Sequence, residues 1–174
     1  MAKLHLLPVF VTLSLILTSV ALALDPVTNI IGQALKTKDF ILTGRVYCDT
    51  CRAGFETDIT EYMPGGKVRL ECKRYGTEEL TYEAEATTEF LGMYQMVVPG
   101  DHSKDQCSVV LVKSSFNKCT ETQPGRDRVR VTLAQDGGLL SNNRQANALG
   151  FLIDEPLPKC GTLLQKYGFA NEDD

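Results

Sequence analysis

The sequence predicts an all-β fold, an antiparallel sandwich or barrel of about six or seven short strands with three disulfides. Three observations carry that expectation. Short runs of alternating apolar and polar residues recur between turn signals, with no long helical pattern between them. All six cysteines, Cys48, Cys51, Cys72, Cys107, Cys119 and Cys160, follow an N-terminal targeting signal, and an even count in an oxidising compartment points to disulfides. The length that remains after signal removal suits one domain with a real core.

The signal comes first in the chain. Lys3 and His5 open it, Leu6 to Val20 is largely apolar, and Ala21-Leu22-Ala23 supplies small residues for cleavage near Ala23, so residues 1–23 read as a signal peptide. Pro8, Thr12, Ser14, Thr18 and Ser19 interrupt a run that barely reaches the ~20 residues a membrane span needs, which disfavours an uncleaved anchor. No later stretch is apolar for long enough to cross a membrane. The acidic end, Glu172-Asp173-Asp174, is unlike the hydrophobic tail of a lipid-anchor signal. A secreted, extracellular protein is expected.

The chain has 18 basic and 22 acidic residues, and losing Lys3 with the signal takes the formal net charge from −4 to −5. An acidic domain is a poor partner for nucleic acid, whose phosphates reward a basic face. Arg126, Arg128 and Arg130 are a local exception. Alternation puts the last two on one side of a strand, either as a solvated face or facing an acidic partner such as a wall polysaccharide.

Residues 24–39 read as a leader with weak helical character around Val27, Ile30, Ile31 and Leu35, and the domain is expected over residues 40–168. Phe40 to Cys48 is rich in β-branched and aromatic residues, and Asp49-Thr50 supplies turn-forming side-chain oxygens. Pro64-Gly65-Gly66 breaks the chain before Lys67 to Cys72, where alternation marks a half-buried strand. Thr81 to Thr88 mixes helix-forming Glu and Ala with period-2 alternation of Tyr82, Ala84 and Ala86, and the alternation decides for a strand. Phe90 to Val98 reads as another strand with a bulge at Gly92, closed by Pro99-Gly100-Asp101.

Cys107 to Lys113 is a short apolar run of the kind buried on both faces. After Pro124-Gly125, Arg128 to Leu133 directs Val129, Val131 and Leu133 inward, and Asp136-Gly137-Gly138 ends it. Ala148 to Ile153 is the last strand, before Pro156 and Pro158 prevent regular pairing. From Gly161 the chain is expected to be partly ordered at best, and residues 169–174 form an acidic tail.

Cys48-Asp49-Thr50-Cys51 is the stretch where chemistry has to be weighed. Cys-x-x-Cys serves a redox pair, half a zinc site or two long-range disulfides, and spacing does not separate them. A redox pair needs a helix opening at the cysteines, and Arg52-Ala53-Gly54-Phe55 does not continue as one. A zinc site lacks ligands: His102, near Asp101, Asp105 and Cys107, is the single histidine after the signal, and there is no second Cys-x-x-Cys. An uncharacterised hydrolase would have to draw on His102 or on acidic residues such as Glu78, Glu79, Glu83, Glu85 and Glu89, with no nucleophile elbow to support it. No metal, cofactor, phosphate-binding loop or N-glycosylation acceptor is expected. Six cysteines permit fifteen pairings, and sequence physics does not choose among them.

The stretch Thr43-Gly44-Arg45-Val46-Tyr47-Cys48-Asp49-Thr50-Cys51-Arg52 closely resembles the signature of the Ole e 1-like family of plant pollen proteins. Gly54 to Thr57, Val68 to Cys72, Val98 to His102, Leu149 to Phe151 and Leu157 to Cys160 resemble further family blocks, so the likeness runs from about Phe40 to Gly168. The resemblance implies the pairs Cys48–Cys119, Cys51–Cys160 and Cys72–Cys107. Two positions depart from the pattern: Ala148 stands where many members have Pro, implying a locally freer loop, and the glycosylation site of the olive protein is missing.

Secretion, a disulfide frame and the want of a catalytic set lead to the expectation of a non-enzymatic binding protein. By the resemblance it would act in pollen hydration, pollen tube growth or cell-wall signalling, as the ligand of a receptor-like kinase, and it would be a candidate allergen; the arginine strand makes a wall polysaccharide the other partner expected. The alternative is a carrier of small hydrophobic ligands in a β-barrel cavity.

Overall fold

The computed structural model describes residues 39–135 and 141–169. The signal peptide with its cleavage position, the helical character of the leader, the 136–138 turn and residues 170–174 of the tail lie outside the described residues. In chain order the elements are β1 (Phe40–Asp49), β2 (Glu61–Tyr62), β3 (Lys67–Arg74), β4 (Leu80–Thr87), a 3-10 turn (Phe90–Gly92), β5 (Met93–Val98), β6 (Asp105–Lys113), β7 (Arg128–Val131), β8 (Asn143–Gln145), β9 (Leu149–Leu152) and α1 (Cys160–Lys166).

Strand β1 is the axis of the first sheet because it is paired along both edges. On one edge it meets β5 antiparallel, from Phe40 opposite Val98 to Arg45 opposite Met93, and then β2 at Tyr47 and Cys48. On the other edge β8 and β9 run parallel to it. The second sheet, in the order β4-β3-β6-β7, is antiparallel throughout. The two parallel pairings follow from connectivity: parallel neighbours need a crossover rather than a hairpin, and between β1 and β8 the chain passes through the second sheet.

The inner faces pack on each other as a sandwich. Phe40, Leu42, Val46, Tyr94, Met96 and Val98 of the first sheet share one core with Val68, Leu70, Val109 and Leu111 of the second, and Met63 and Leu133 join from the connections. Side chains therefore fill the space between the sheets, and the clefts described below open on outer faces.

The architecture is the one expected, with local differences. The short strands β2 and β8, of two and three residues, are too brief to leave a periodic signal. Residues 90–92 form a turn in front of β5 because Gly92, at φ +68°, lies where a Cβ would come within 2.1 Å of the Val46 carbonyl oxygen. In β6 the doubly buried stretch is confined to Val109, Val110 and Leu111, and Val112 is exposed. The ordered helix α1 corrects the expectation of a loose segment from Gly161: Cys160 is tied by a disulfide, and the tail beyond it folds onto residues 55–58. Among the described residues, no helix is long and apolar enough to cross a membrane.

Candidate functional site

At the end of β1 the chain turns through Asp49-Thr50-Cys51-Arg52. The Asp49 side chain is buried, and its carboxylate accepts three backbone hydrogen bonds, from Cys51 N (3.2 Å) and Ala53 N (3.1 Å) on Oδ1 and from Gly54 N (2.6 Å) on Oδ2. A short acidic side chain that folds back on its own backbone is what this turn requires. The Thr50 hydroxyl donates to the Ile59 carbonyl (2.9 Å). Arg52 takes the left-handed conformation at φ 54°. Its guanidinium forks onto Glu121 with two 2.8 Å bonds and donates a third, of 2.6 Å, to the Ile153 carbonyl. That pairing raises the Arg52 pKa and lowers that of Glu121, chiefly through the side-chain hydrogen bond.

Three disulfides fasten the same region to distant chain. Cys48 is bonded to Cys119 (Cα–Cα 5.9 Å), Cys51 to Cys160 (5.3 Å) and Cys72 to Cys107 (4.0 Å), the last joining directly opposed residues of β3 and β6. No cysteine is left free, so the Cys-x-x-Cys pair has no thiolate for redox or metal chemistry.

His102 lies close to the Cys72 and Cys107 sulfurs, all ligand atoms within 4.8 Å of one another. Because those sulfurs are bonded to each other, the group offers a metal one available donor. The imidazole itself is engaged, Nδ1 with Asp105 Oδ2 at 3.0 Å and Nε2 with the Pro99 carbonyl at 3.2 Å. Glu83 and Glu85 do not converge with it. Strand alternation sends them to the outer face of β4, each 3.9 Å from Arg69, whereas the ring of Tyr82, which precedes Glu83 and alternates with it, packs 5.3 Å from His102. Glu78 pairs with Lys73 on the same surface.

The outward residues of the signature stretch do come together. Thr43, Gly44, Arg45 and Tyr47 line a cleft of about 720 Å³ on the outer face of β1, along with Phe55 and Met93. Arg45 is held 4.4 Å above the Tyr62 ring, with Nε 3.3 Å from Met93 Sδ. Phe55 is fixed by the rings of Tyr167 (5.9 Å, edge-on) and Phe169 (5.6 Å, stacked). Burial pushes the Tyr47 phenol up to about 12, with the charges of Asp49 and Glu56 adding to the shift and Arg126 opposing it. The cleft is thus a half-open groove with an aromatic wall and a fixed cation. Ala148 lies at its rim, in the loop between β8 and β9.

Val46 faces the core, and so would a side chain at Gly44, whose backbone alone reaches the cleft. A Cβ on Gly44 would lie 2.1 Å from the Tyr94 hydroxyl oxygen, because the ring of its cross-strand partner crosses that position. The buried Tyr94 hydroxyl has no hydrogen-bond partner among the described residues, and burial raises its pKa.

The roles of two contributors left no local signal in the sequence. Phe55 falls in the 54–57 block of the resemblance, but no periodic context marks what it does. Arg144 is buried in β8, where its guanidinium donates to the carbonyls of Thr132 (3.0 Å), Ser141, Asn143 (3.0 Å) and Ala134 (3.2 Å) and covers the Phe40 ring at 4.7 Å. Nothing local distinguishes a buried arginine from an exposed one, since its partners are carbonyls supplied by the fold.

Comparison with known proteins places this geometry. Residues 38–168 match the family model described as pollen protein Ole e 1 like. Pollen-specific protein C13 of Zea mays is 46% identical over 136 residues, covering 78% of this chain and 80% of that protein. Pollen allergen Phl p 11 of Phleum pratense is 43% identical over 133 residues, covering 76% and 93%. The crystal structure of the major plantain pollen allergen Pla l 1 matches with a TM-score of 0.63 at 28% identity, over 70% of this chain and 99% of that one.

Proposed function

The chain belongs to the pollen protein Ole e 1-like family, and from that premise we propose that it is a secreted, non-enzymatic binding protein of the plant extracellular space, acting in pollen tube growth or wall signalling. The cleft on β1 is its contact surface, and the extracellular part of a receptor-like kinase is the partner class.

One observation supports this reading above the others. The signature stretch is divided by strand alternation into two jobs: Leu42, Val46 and Cys48 turn inward to core and disulfide, while Thr43, Arg45 and Tyr47 turn outward to the cleft. A surface mounted on a cross-linked strand is preorganised, and preorganisation lowers the ordering cost of association. Rigid aromatic rings beside an arginine are the residue types that dominate protein contacts. Among the side chains with acid-base chemistry, His102 is engaged by Asp105 and the Pro99 carbonyl, while Glu83 and Glu85 share Arg69.

Affinity capture from pollen-tube or wall extract, with the oxidised secreted protein as bait, tests the proposal. The native protein recovers a specific extracellular partner, and Arg45→Glu, which reverses the charge in the cleft, loses it. Recovery of no specific partner, or equal recovery by the variant, overturns the reading.

A further inference from the structure

We propose that the outer face of the second sheet is a binding site for a linear acidic polysaccharide, a sugar polymer bearing carboxylates. It uses different residues from the β1 cleft and stands independently of the function proposed above.

A second cleft, of about 500 Å³, opens on that face, and Lys73, Arg74, Arg128 and Arg130 line it with Glu71 and Ser108. The register explains the cluster. Glu71 of β3, Ser108 of β6 and Arg130 of β7 lie side by side across the sheet, with Arg128 two residues along on the same face. Alternate residues of a strand are about 7 Å apart, so the two guanidiniums form a row.

Their charges are committed to different degrees. Lys73 is paired with Glu78 and Arg128 with Asp127, whose carboxyl is held below its ordinary range mainly by that hydrogen bond. Arg130 has no carboxylate within 4.0 Å among the described residues. Instead, with the Gln106 amide turned so that its oxygen faces the guanidinium, that oxygen accepts from Arg130 Nη2 (2.6 Å) and Nε (3.0 Å). A neutral amide therefore orients the arginine and leaves its charge uncompensated. A planar guanidinium held in place, with donors remaining, is the group that binds a carboxylate bidentately.

The rest of the lining selects the ligand. Ser108 and Gln106 supply neutral hydroxyl and amide groups, and Glu71 and Glu78 offer carboxylates that accept from hydroxyls but repel a densely charged chain. A surface that combines hydroxyl-seeking acids with one uncompensated arginine suits a polyhydroxylated chain of modest charge better than a polyphosphate. The net acidic charge of the protein points the same way.

The site is also continuous with a track suited to a polymer. Arg128 also lines a third cleft, of about 190 Å³, with Arg126 and Gln123.

The experiment titrates the oxidised protein with a partly methyl-esterified oligogalacturonate, its fully methyl-esterified form and a single-stranded oligonucleotide of similar length. Oligogalacturonate binds, binding weakens as salt rises, and Arg130→Gln, a surface change that leaves the unfolding midpoint unmoved, weakens it about tenfold, the share of one charge-assisted hydrogen bond. Equal binding of the neutral ester, tighter binding of the oligonucleotide, or undiminished binding by Arg130→Gln at an unchanged midpoint each overturns the proposal. Arg45→Glu serves as the control and leaves oligogalacturonate affinity within about twofold, the scatter of near-neutral contacts.

Discussion

Substituting Asp49→Asn tests whether the turn depends on a carboxylate rather than on a polar side chain in general. The two Asp49 oxygens are not equivalent: Oδ1 takes Cys51 N and Ala53 N, and Oδ2 takes Gly54 N. If the asparagine oxygen replaces Oδ1, two bonds survive, and the amide NH2 is set against the Gly54 N–H, donor against donor. The reversed orientation keeps one bond and opposes two. In the better case the protein loses one charge-assisted bond and leaves the half-buried Gly54 N–H unpaired, a loss of about 1 to 3 kcal/mol. A domain with roughly 5 to 15 kcal/mol of stability survives that and can be measured. Urea unfolding of the oxidised proteins at pH 7 is the assay, and the midpoint falls at unchanged slope. Asp49→Ala, which orphans all three N–H groups, falls further. A loss under about 1 kcal/mol for Asn, or an Ala variant no worse than Asn, refutes the account.

Three further predictions follow from neighbouring groups. Tyr94→Phe removes a buried, unpartnered hydroxyl and leaves stability unchanged or raised by about 1 kcal/mol, whereas Gly44→Ala drives a methyl into that ring and destabilises by at least about 1 to 3 kcal/mol, a penalty that shrinks in a Tyr94→Ala background when both are measured as a double-mutant cycle. The Tyr47 phenol, at about 12 in the fold and near 10 when unfolded, makes its neutral form the folded one; its contribution is fully present below pH 10 and is lost as pH rises towards 12, about 2 to 3 kcal/mol in all, and Tyr47→Phe flattens that alkaline fall in unfolding midpoints. Alkylation under native conditions labels none of the six cysteines, and after reduction in denaturant it labels all of them, as mass spectrometry counts; a labelled Cys48 or Cys51 in the native protein would restore a redox or metal role for that pair.

The strands that were legible in the sequence are those in which one face meets the core and the other meets water. Lys67 to Cys72 and Met93 to Val98 alternate because β3 and β5 each bury every second residue. The pattern fails where an outer face is also covered. Tyr47 and Asp49 are buried although strand phase points them away from the core, since β9 and the 50–60 loop close over them. Pairing direction was the least visible feature. Nothing in the three residues of β8 or the four of β9 records that they lie parallel to β1, which depends on the passage through the second sheet that separates them in the chain.

The same division governs the site. Cys48, Asp49, Cys51 and Arg52 stand out because they are chemically unusual residues at close spacing, and each makes a contact that only its own type makes. Their partners, Cys119, Cys160 and Glu121, are 71, 109 and 69 residues away, distances at which no local pattern operates. Arg144 and Phe55 carry no such mark, because an arginine serving carbonyls and a half-buried phenylalanine against two rings owe their placement to folded neighbours. The two clefts follow from this arrangement. Alternation along β1 and β7 decides which side chains face outward, but the facing elements decide whether those side chains meet in a groove, and for Arg130 whether the neighbour that orients it is a carboxylate or the neutral amide of Gln106. A row of arginines in a sequence therefore specifies a surface, and the register of the adjacent strand determines how much of its charge a ligand meets.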